Sequence, residues 1–210
     1  MLSSIDESLF NLQDALLGAV HPCLRAAQID LDEKQKKISY YFYYDCDVTD
    51  DLFELASIAV TEAWSPGYFV EQHILQLPAS EMIPIHGRFA FLRKEPNLPN
   101  FNNKINKNLI KNETPIIDFL LGMQEALLGK VTPVLRIVSI DVNTKEKKLY
   151  FYFEYDSPIS EEDRNLAKSI AKEASASFPE YSIHCNIFPV GSNNPMGKRS
   201  AYARWEPIKD

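Results

Sequence analysis

The stretch Leu12–Arg25 reads LQDALLGAVHPCLR, and 111 residues later Met123–Arg136 reads MQEALLGKVTPVLR. Further along, KKISYYFYYD of Lys36–Asp45 returns as KKLYFYFEYD of Lys147–Asp156. Between Leu12–Ser65 and Met123–Ala176, about two positions in five are identical without a gap, which marks an internal repeat. The second copy then needs two extra residues before Tyr181, and the register recovers where FAFLRKEP, Phe89–Pro96, meets AYARWEP, Ala201–Pro207. Copies of roughly 100 residues are domain-sized and too long for solenoid repeats. The chain therefore reads as a tandem duplication, with one repeat over 1–96 and a second over 113–210. Between them, Asn97–Asn112 holds seven asparagines and no sustained apolar period, the composition of a linker.

Each copy opens with a helix pattern. Ser4-Ile5-Asp6-Glu7 has the capping-box form, and Leu9, Leu12, Leu16 and Val20 recur at three- and four-residue steps to the breakers Gly18 and Pro22. In the second copy Thr114 caps before Pro115, and Ile116, Leu120, Met123 and Leu127 run to Gly129. Two strands follow, the first of them Arg25–Leu31 or Arg136–Val142, joined to the next by Lys-rich hairpin turns at Asp32–Lys37 and Asn143–Lys148. Thr49-Asp50-Asp51 and Ser160-Glu161-Glu162 then announce a second helix, because acids suit a helix N-terminus. Tyr68–Leu77 with Phe89–Lys94, and Tyr181–Phe188 with Ala201–Trp205, supply the last two strands. The expected fold is α+β: two copies of a two-layer αββαββ domain, helices on one face of an antiparallel sheet, arranged as a pseudo-dimer.

In the second strand, period two puts Ile38, Tyr40, Phe42 and Tyr44, or Leu149, Phe151, Phe153 and Tyr155, toward the helices. The other face carries Tyr41 and Tyr43, or Tyr150 and Tyr152, and helices on one side leave those tyrosines without cover. Contact between the copies is the structural explanation, and Tyr41 and Tyr152 are expected to be mostly buried by contact between copies or between chains. An aromatic recognition surface is the functional one, since tyrosines are common interface anchors.

The composition, 45% hydrophobic and 24% charged, is that of a globular protein. Apolar runs such as Ile116–Met123 fall far short of the roughly 20 residues that cross a bilayer, and Met1–Phe10 lacks a basic segment followed by an apolar one. No membrane partner is expected. Cys23, Cys46 and Cys185 are too scattered for a disulfide framework or a four-ligand zinc site, which fits a cytoplasmic protein. A net charge of −7 disfavours nucleic acid as a partner and favours a basic protein surface. His21, His73, His86 and His184 lack metal-ligand spacing, so no metal is expected. There is no GxSxG motif and no phosphate-cradling loop, Gly191-Ser192-Asn193-Asn194 reading as a turn, so neither a catalytic residue nor a cofactor is assigned.

Charged residues that recur in both copies have mainly structural readings. Arg25 and Arg136 are expected to pair with Asp45 and Asp156 or with Glu62 and Glu173, tying helices to sheet. Asp45, Asp47, Asp50, Asp51 and Glu54, echoed by Asp156, Glu161, Glu162 and Asp163, form acidic runs at the strand-to-helix turn. As helix starts they satisfy the macrodipole. As a surface, Asp50, Asp51, Glu161 and Glu162 are candidates to steer a basic partner, beside the tyrosines Tyr41, Tyr43, Tyr150 and Tyr152.

The LLGxVxPxLR segment, the strand closing on Tyr44-Asp45 and Tyr155-Asp156, the Thr/Ser-acid-acid helix start and the terminal Arg93-Lys94-Glu95 and Arg204-Trp205-Glu206 together resemble a group of short bacterial proteins. These are the single-domain immunity proteins of contact-dependent growth-inhibition and related polymorphic toxin systems. The resemblance covers both halves and leaves the linker outside. It implies a non-catalytic cytosolic inhibitor that binds and occludes a basic toxin domain. A structural or adaptor pseudo-dimer, and an enzyme with a site between the repeats, are the other classes open to the sequence.

Overall fold

A computed structural model of the chain describes residues 4–95, 115–156, 158–191, 197 and 199–204. The linker at 97–112, the Thr114 cap, Glu206 and most of the turn after Gly191 lie outside the described residues. The first repeat runs α1 (Ser4–Ala15), β1 (Leu24–Asp32), β2 (Lys37–Tyr44), α2 (Asp50–Glu62), β3 (Phe69–Gln76) and β4 (Arg88–Leu92). The second repeats the order as α3 (Pro115–Leu127), β5 (Leu135–Asn143), β6 (Lys148–Tyr155), α4 (Glu161–Ala174), β7 (Ser182–Pro189) and β8 (Arg199–Ala203). These are two similar α+β units.

Each unit has its own four-stranded sheet, ordered β3-β2-β1-β4 and β7-β6-β5-β8. β1 and β2 form the expected antiparallel hairpin, with Ile29 opposite Tyr40 and Leu31 opposite Ile38. The sheet is not antiparallel throughout. β3 lies parallel to β2, and β7 parallel to β6. The reason is the intervening helix: β2 and β3 are joined through all of α2, and a crossover of a dozen or more residues returns the chain to the same end of the sheet.

The inner sheet faces carry the core. Ile38, Tyr40, Phe42 and Tyr44 of β2 are each no more than 1% exposed, and so are Leu149, Phe151, Phe153 and Tyr155 of β6. They pack against Leu9, Leu12 and Leu16 with Leu52, Ala56 and Ala59, or Leu120, Met123 and Leu127 with Ala167, Ile170 and Ala171. Burying such a side chain is worth about 1.5–3 kcal/mol. An exposed ion pair is worth about 0–1 kcal/mol, so apolar packing and not the charged surface holds each unit.

The outer face of the first sheet is covered by the unit's own chain, not by sheet-to-sheet contact between repeats. The β3–β4 segment folds back so that Ile83 joins Ala26, Tyr43, Phe89 and Leu92 in a second small core, which Leu128 of the other repeat also enters. Gln28 fixes this segment: its Nε2 donates to Pro84 O at 2.7 Å, and its Oε1 accepts from the His86 backbone N–H at 2.9 Å. Gly87 passes so near β1 that an added Cβ would sit 2.2 Å from Ile29 O.

The repeats touch elsewhere, through the turn after the first helix and the last strand of each sheet. The Gly18 N–H donates to Ala203 O at 2.9 Å, and the Gly129 N–H donates to Leu92 O at 2.7 Å. Both glycines have left-handed φ, +80° and +70°, which turns the chain out of the helix and aims the N–H at the other repeat. Val20 bridges Arg204, and Arg93 bridges Val131. Phe91 and Tyr202 stack at 6.4 Å and 9°. Shifting any of these contacts by the repeat length turns it into its counterpart or into itself.

Candidate functional site

Tyr41 and Tyr43 point out of β2 onto the covered face. Tyr41 is half-buried, its ring stacked between His73 at 4.6 Å and His86 at 4.4 Å. Tyr43 is 1% exposed, and burial pushes its phenol up to about 12. Neither offers a partner much ring surface. The covering segment presents its own exposed side chains instead, Met82 and Ile85 among them.

The matching face of the second sheet is more open. Tyr150 and Tyr152 are half-exposed and stack at 6.5 Å, and Tyr150 stacks on His184 of β7 at 4.9 Å. His184 and Asn186 are exposed beside them. Burial, then the charges of Asp141 and Tyr150, raise the Tyr152 phenol above its ordinary value. Gly197 closes part of this face, its N–H donating to Ser139 Oγ at 2.9 Å. The duplication has thus given one closed aromatic face and one half-open one.

At the helix starts the acids divide by role. Thr49 Oγ1 accepts from the Leu52 N–H at 3.4 Å, and Ser160 Oγ accepts from the Asp163 N–H at 3.0 Å, both as N-caps. Asp163 is buried, taking the Ser160 hydroxyl on Oδ2 at 2.5 Å, so it belongs to the cap and not to the surface. Asp50, Asp51, Glu54 and Glu161 are exposed, and Glu162 receives Lys94 of the first repeat at 2.6 Å. Asp47 accepts from Gln76 Nε2 at 2.8 Å.

Of the two recurrent arginines, Arg136 meets Asp156 as expected, and Arg25 departs from the expectation. Arg25 pairs with neither Asp45 nor Glu62. It is 1% exposed and grips Glu95 with Nε at 2.8 Å and Nη2 at 2.5 Å, while Nη1 and Nη2 reach the carbonyls of Leu77, Pro78 and Glu81 at 2.7–3.1 Å. It therefore ties β1 to the root of the covering segment. Asp45 goes to Arg93 at 2.6 Å, and Asp156 to Arg204 at 3.0 Å with Arg136 at 3.7 Å. Arg93 sits half-buried among Asp45 and Glu95; burial works against its charge, but those carboxylates prevail and raise it. Glu62 is exposed at the end of α2, and Glu173 meets Lys130. Helix-to-sheet ties through Arg25 are absent because its neighbours in space come from the β3–β4 segment and the residues after β4.

One grouping was not visible in the sequence. Cys23, Asp45 and Cys46 each place a ligand atom within 4.8 Å of the others, the one such group of three among the described residues that could hold a metal ion. The antiparallel register sets Leu24 opposite Tyr44, so residues 22 positions apart meet at the end of the hairpin. That register was the available signal.

A family model described as MafI2 immunity protein matches residues 6–95 and, separately, residues 116–206. No curated protein matches the chain.

Proposed function

The chain belongs to the MafI2 immunity protein family, matched once in each repeat, and from that membership we propose that it is a non-catalytic inhibitor which binds a basic toxin domain and occludes its working surface. The double match is the observation that carries this reading. Both repeats are complete as units, so the duplication supplies two immunity-type folds in one chain, which we take as domains 1–96 and 113–210 joined by a linker at 97–112. The reciprocal contacts of Gly18, Val20 and Leu92 with Ala203, Arg204 and Gly129 support treating the pair as an intramolecular pseudo-dimer.

Within that reading the two repeats contribute unequally. Tyr150, Tyr152 and His184 form the half-open aromatic face and anchor the partner, because tyrosine gives large contact area for little conformational entropy. Asp50, Asp51, Glu161 and Glu162 lie at exposed helix starts and act at longer range, raising the rate of encounter with a basic surface. Among the described residues, no helix is long and apolar enough to cross a membrane. We place the encounter in the cytoplasm, where an inhibitor protects the producing cell.

The two contributions separate kinetically. Replacing Asp50 and Asp51 with Asn, and Glu161 and Glu162 with Gln, should slow association with the cognate toxin domain about tenfold at low salt and little at high salt, where the Debye length falls to about 3 Å. Replacing Tyr150 and Tyr152 with Ala should instead speed dissociation. Association unchanged across the salt series removes the acids from the mechanism, and dissociation unchanged in the tyrosine variant removes the face.

A further inference from the structure

The two repeats act as internal controls for each other at one spot. Asp45 with Arg93 in the first repeat is Asp156 with Arg204 in the second, so this ion pair belongs to the shared fold. Around it, the sequence register sets Thr132, Val134 and Ser157 where the first repeat has His21, Cys23 and Cys46. All three differences place a metal-coordinating side chain in the first repeat only.

The geometry brings them together. Cys23 Sγ, Cys46 Sγ and a carboxylate oxygen of Asp45 lie within 4.8 Å of one another, and all three residues are half-buried. His21 adjoins Cys23, its Nδ1 accepting the Cys23 N–H at 3.1 Å. With Cys46, Asp47 and Asp51 it lines an open groove of about 370 Å³. We propose that Cys23, Cys46 and Asp45 form a binding site for a single borderline-soft divalent cation of the zinc class, with the fourth coordination position facing this groove.

Charge and ligand chemistry support the choice of ion. Two thiolates and one carboxylate suit zinc, whose ligands are sulfur, nitrogen and carboxylate oxygen in tetrahedral array. Three anionic ligands around a dication leave one negative charge, and the Arg93 guanidinium on Asp45 balances it. A carboxylate has two oxygens, so Asp45 can hold Arg93 with one and the ion with the other. Binding releases both thiol protons to solvent and moves no electrons. Without the ion both cysteines are free thiols.

The test uses the full chain, reduced, freed of metal, and titrated with Co²⁺ alone. One equivalent should bind with sulfur-to-cobalt charge-transfer absorption in the near ultraviolet and the intense visible bands of a tetrahedral site. Added Zn²⁺ should bleach both and raise the melting temperature. The Cys23→Val/Cys46→Ser variant carries the residues of the second repeat, so it should fold and lose the absorption. A Cys185→Ser variant should keep it. If the double variant does not fold, Cys46→Ser alone gives the same reading through loss of one thiolate. A reduced wild-type chain without the charge-transfer band, or a band that persists without Cys23 and Cys46, overturns the proposal.

Discussion

Arg25 makes five hydrogen bonds from a position 1% exposed, two to Glu95 and three to carbonyls of the covering segment. Removing one partner of a buried ion pair strands the other charge, at a cost of about 3–5 kcal/mol. Arg25→Ala should therefore lower the urea midpoint far more than Lys148→Ala, whose side chain is 38% exposed in its pair with Glu146; equal losses would contradict this assignment. Arg25 could be singled out from the sequence because it recurs, yet its partner could not be named, since Glu95 lies 70 residues away and is brought back by β4. The buried phenols give a pH signature. Tyr40 and Tyr43 are pushed to about 12 by burial, above the ordinary phenol value of about 10. The folded state then holds protons that the unfolded chain gives up, so stability is whole below about pH 10 and falls as pH rises toward 12. A melting temperature unchanged between about pH 9 and about pH 11.5 would contradict that placement of the rings.

At the scale of elements, the starts of α2 and α4 were legible because their signals are local, whereas Ser4, read as a cap, is the first residue of α1 itself. Thr49 and Ser160 precede paired acids and do cap α2 and α4. Thr49→Ala should cost about 1 kcal/mol, measured by denaturant unfolding. Strand direction was less legible. Alternation in β3 and β7 is the same whether the strand runs parallel or antiparallel, and only the length of the α2 connection told them apart. The covering segment was not legible at all: from Leu77 to Gly87 the residues have no period, and their place is set by Gln28 and Arg25 on a distant strand. Its fit is tight at Gly87, where a Cβ would meet Ile29 O at 2.2 Å. Gly87→Ala should lift the segment from the sheet, and hydrogen exchange at Gln28 and Tyr43 should rise with it; unchanged protection would mean that the backbone adjusts without losing its cover.

For the whole molecule, the repeat was the strongest statement the sequence made, and the two units follow it closely. Contact between the repeats is not what covers Tyr41, and it leaves Tyr152 half-exposed, for a definite reason. The surfaces that meet are the apolar turn at Leu16–Val20 with Phe91, and their counterparts, not the outer sheet faces. Residues 1–96 expressed alone should therefore self-associate through Val20 and Phe91, reproducing the reciprocal contacts with a second copy. Light scattering at the monomer mass with unchanged stability would count against it. Inhibition of a toxin is tested most directly by titration of the full chain into the cognate toxin domain, following heat of binding and residual toxin activity together. A saturable complex whose formation tracks the loss of activity is the expected result. Saturable binding that leaves activity intact, or no binding at micromolar concentration, would contradict it.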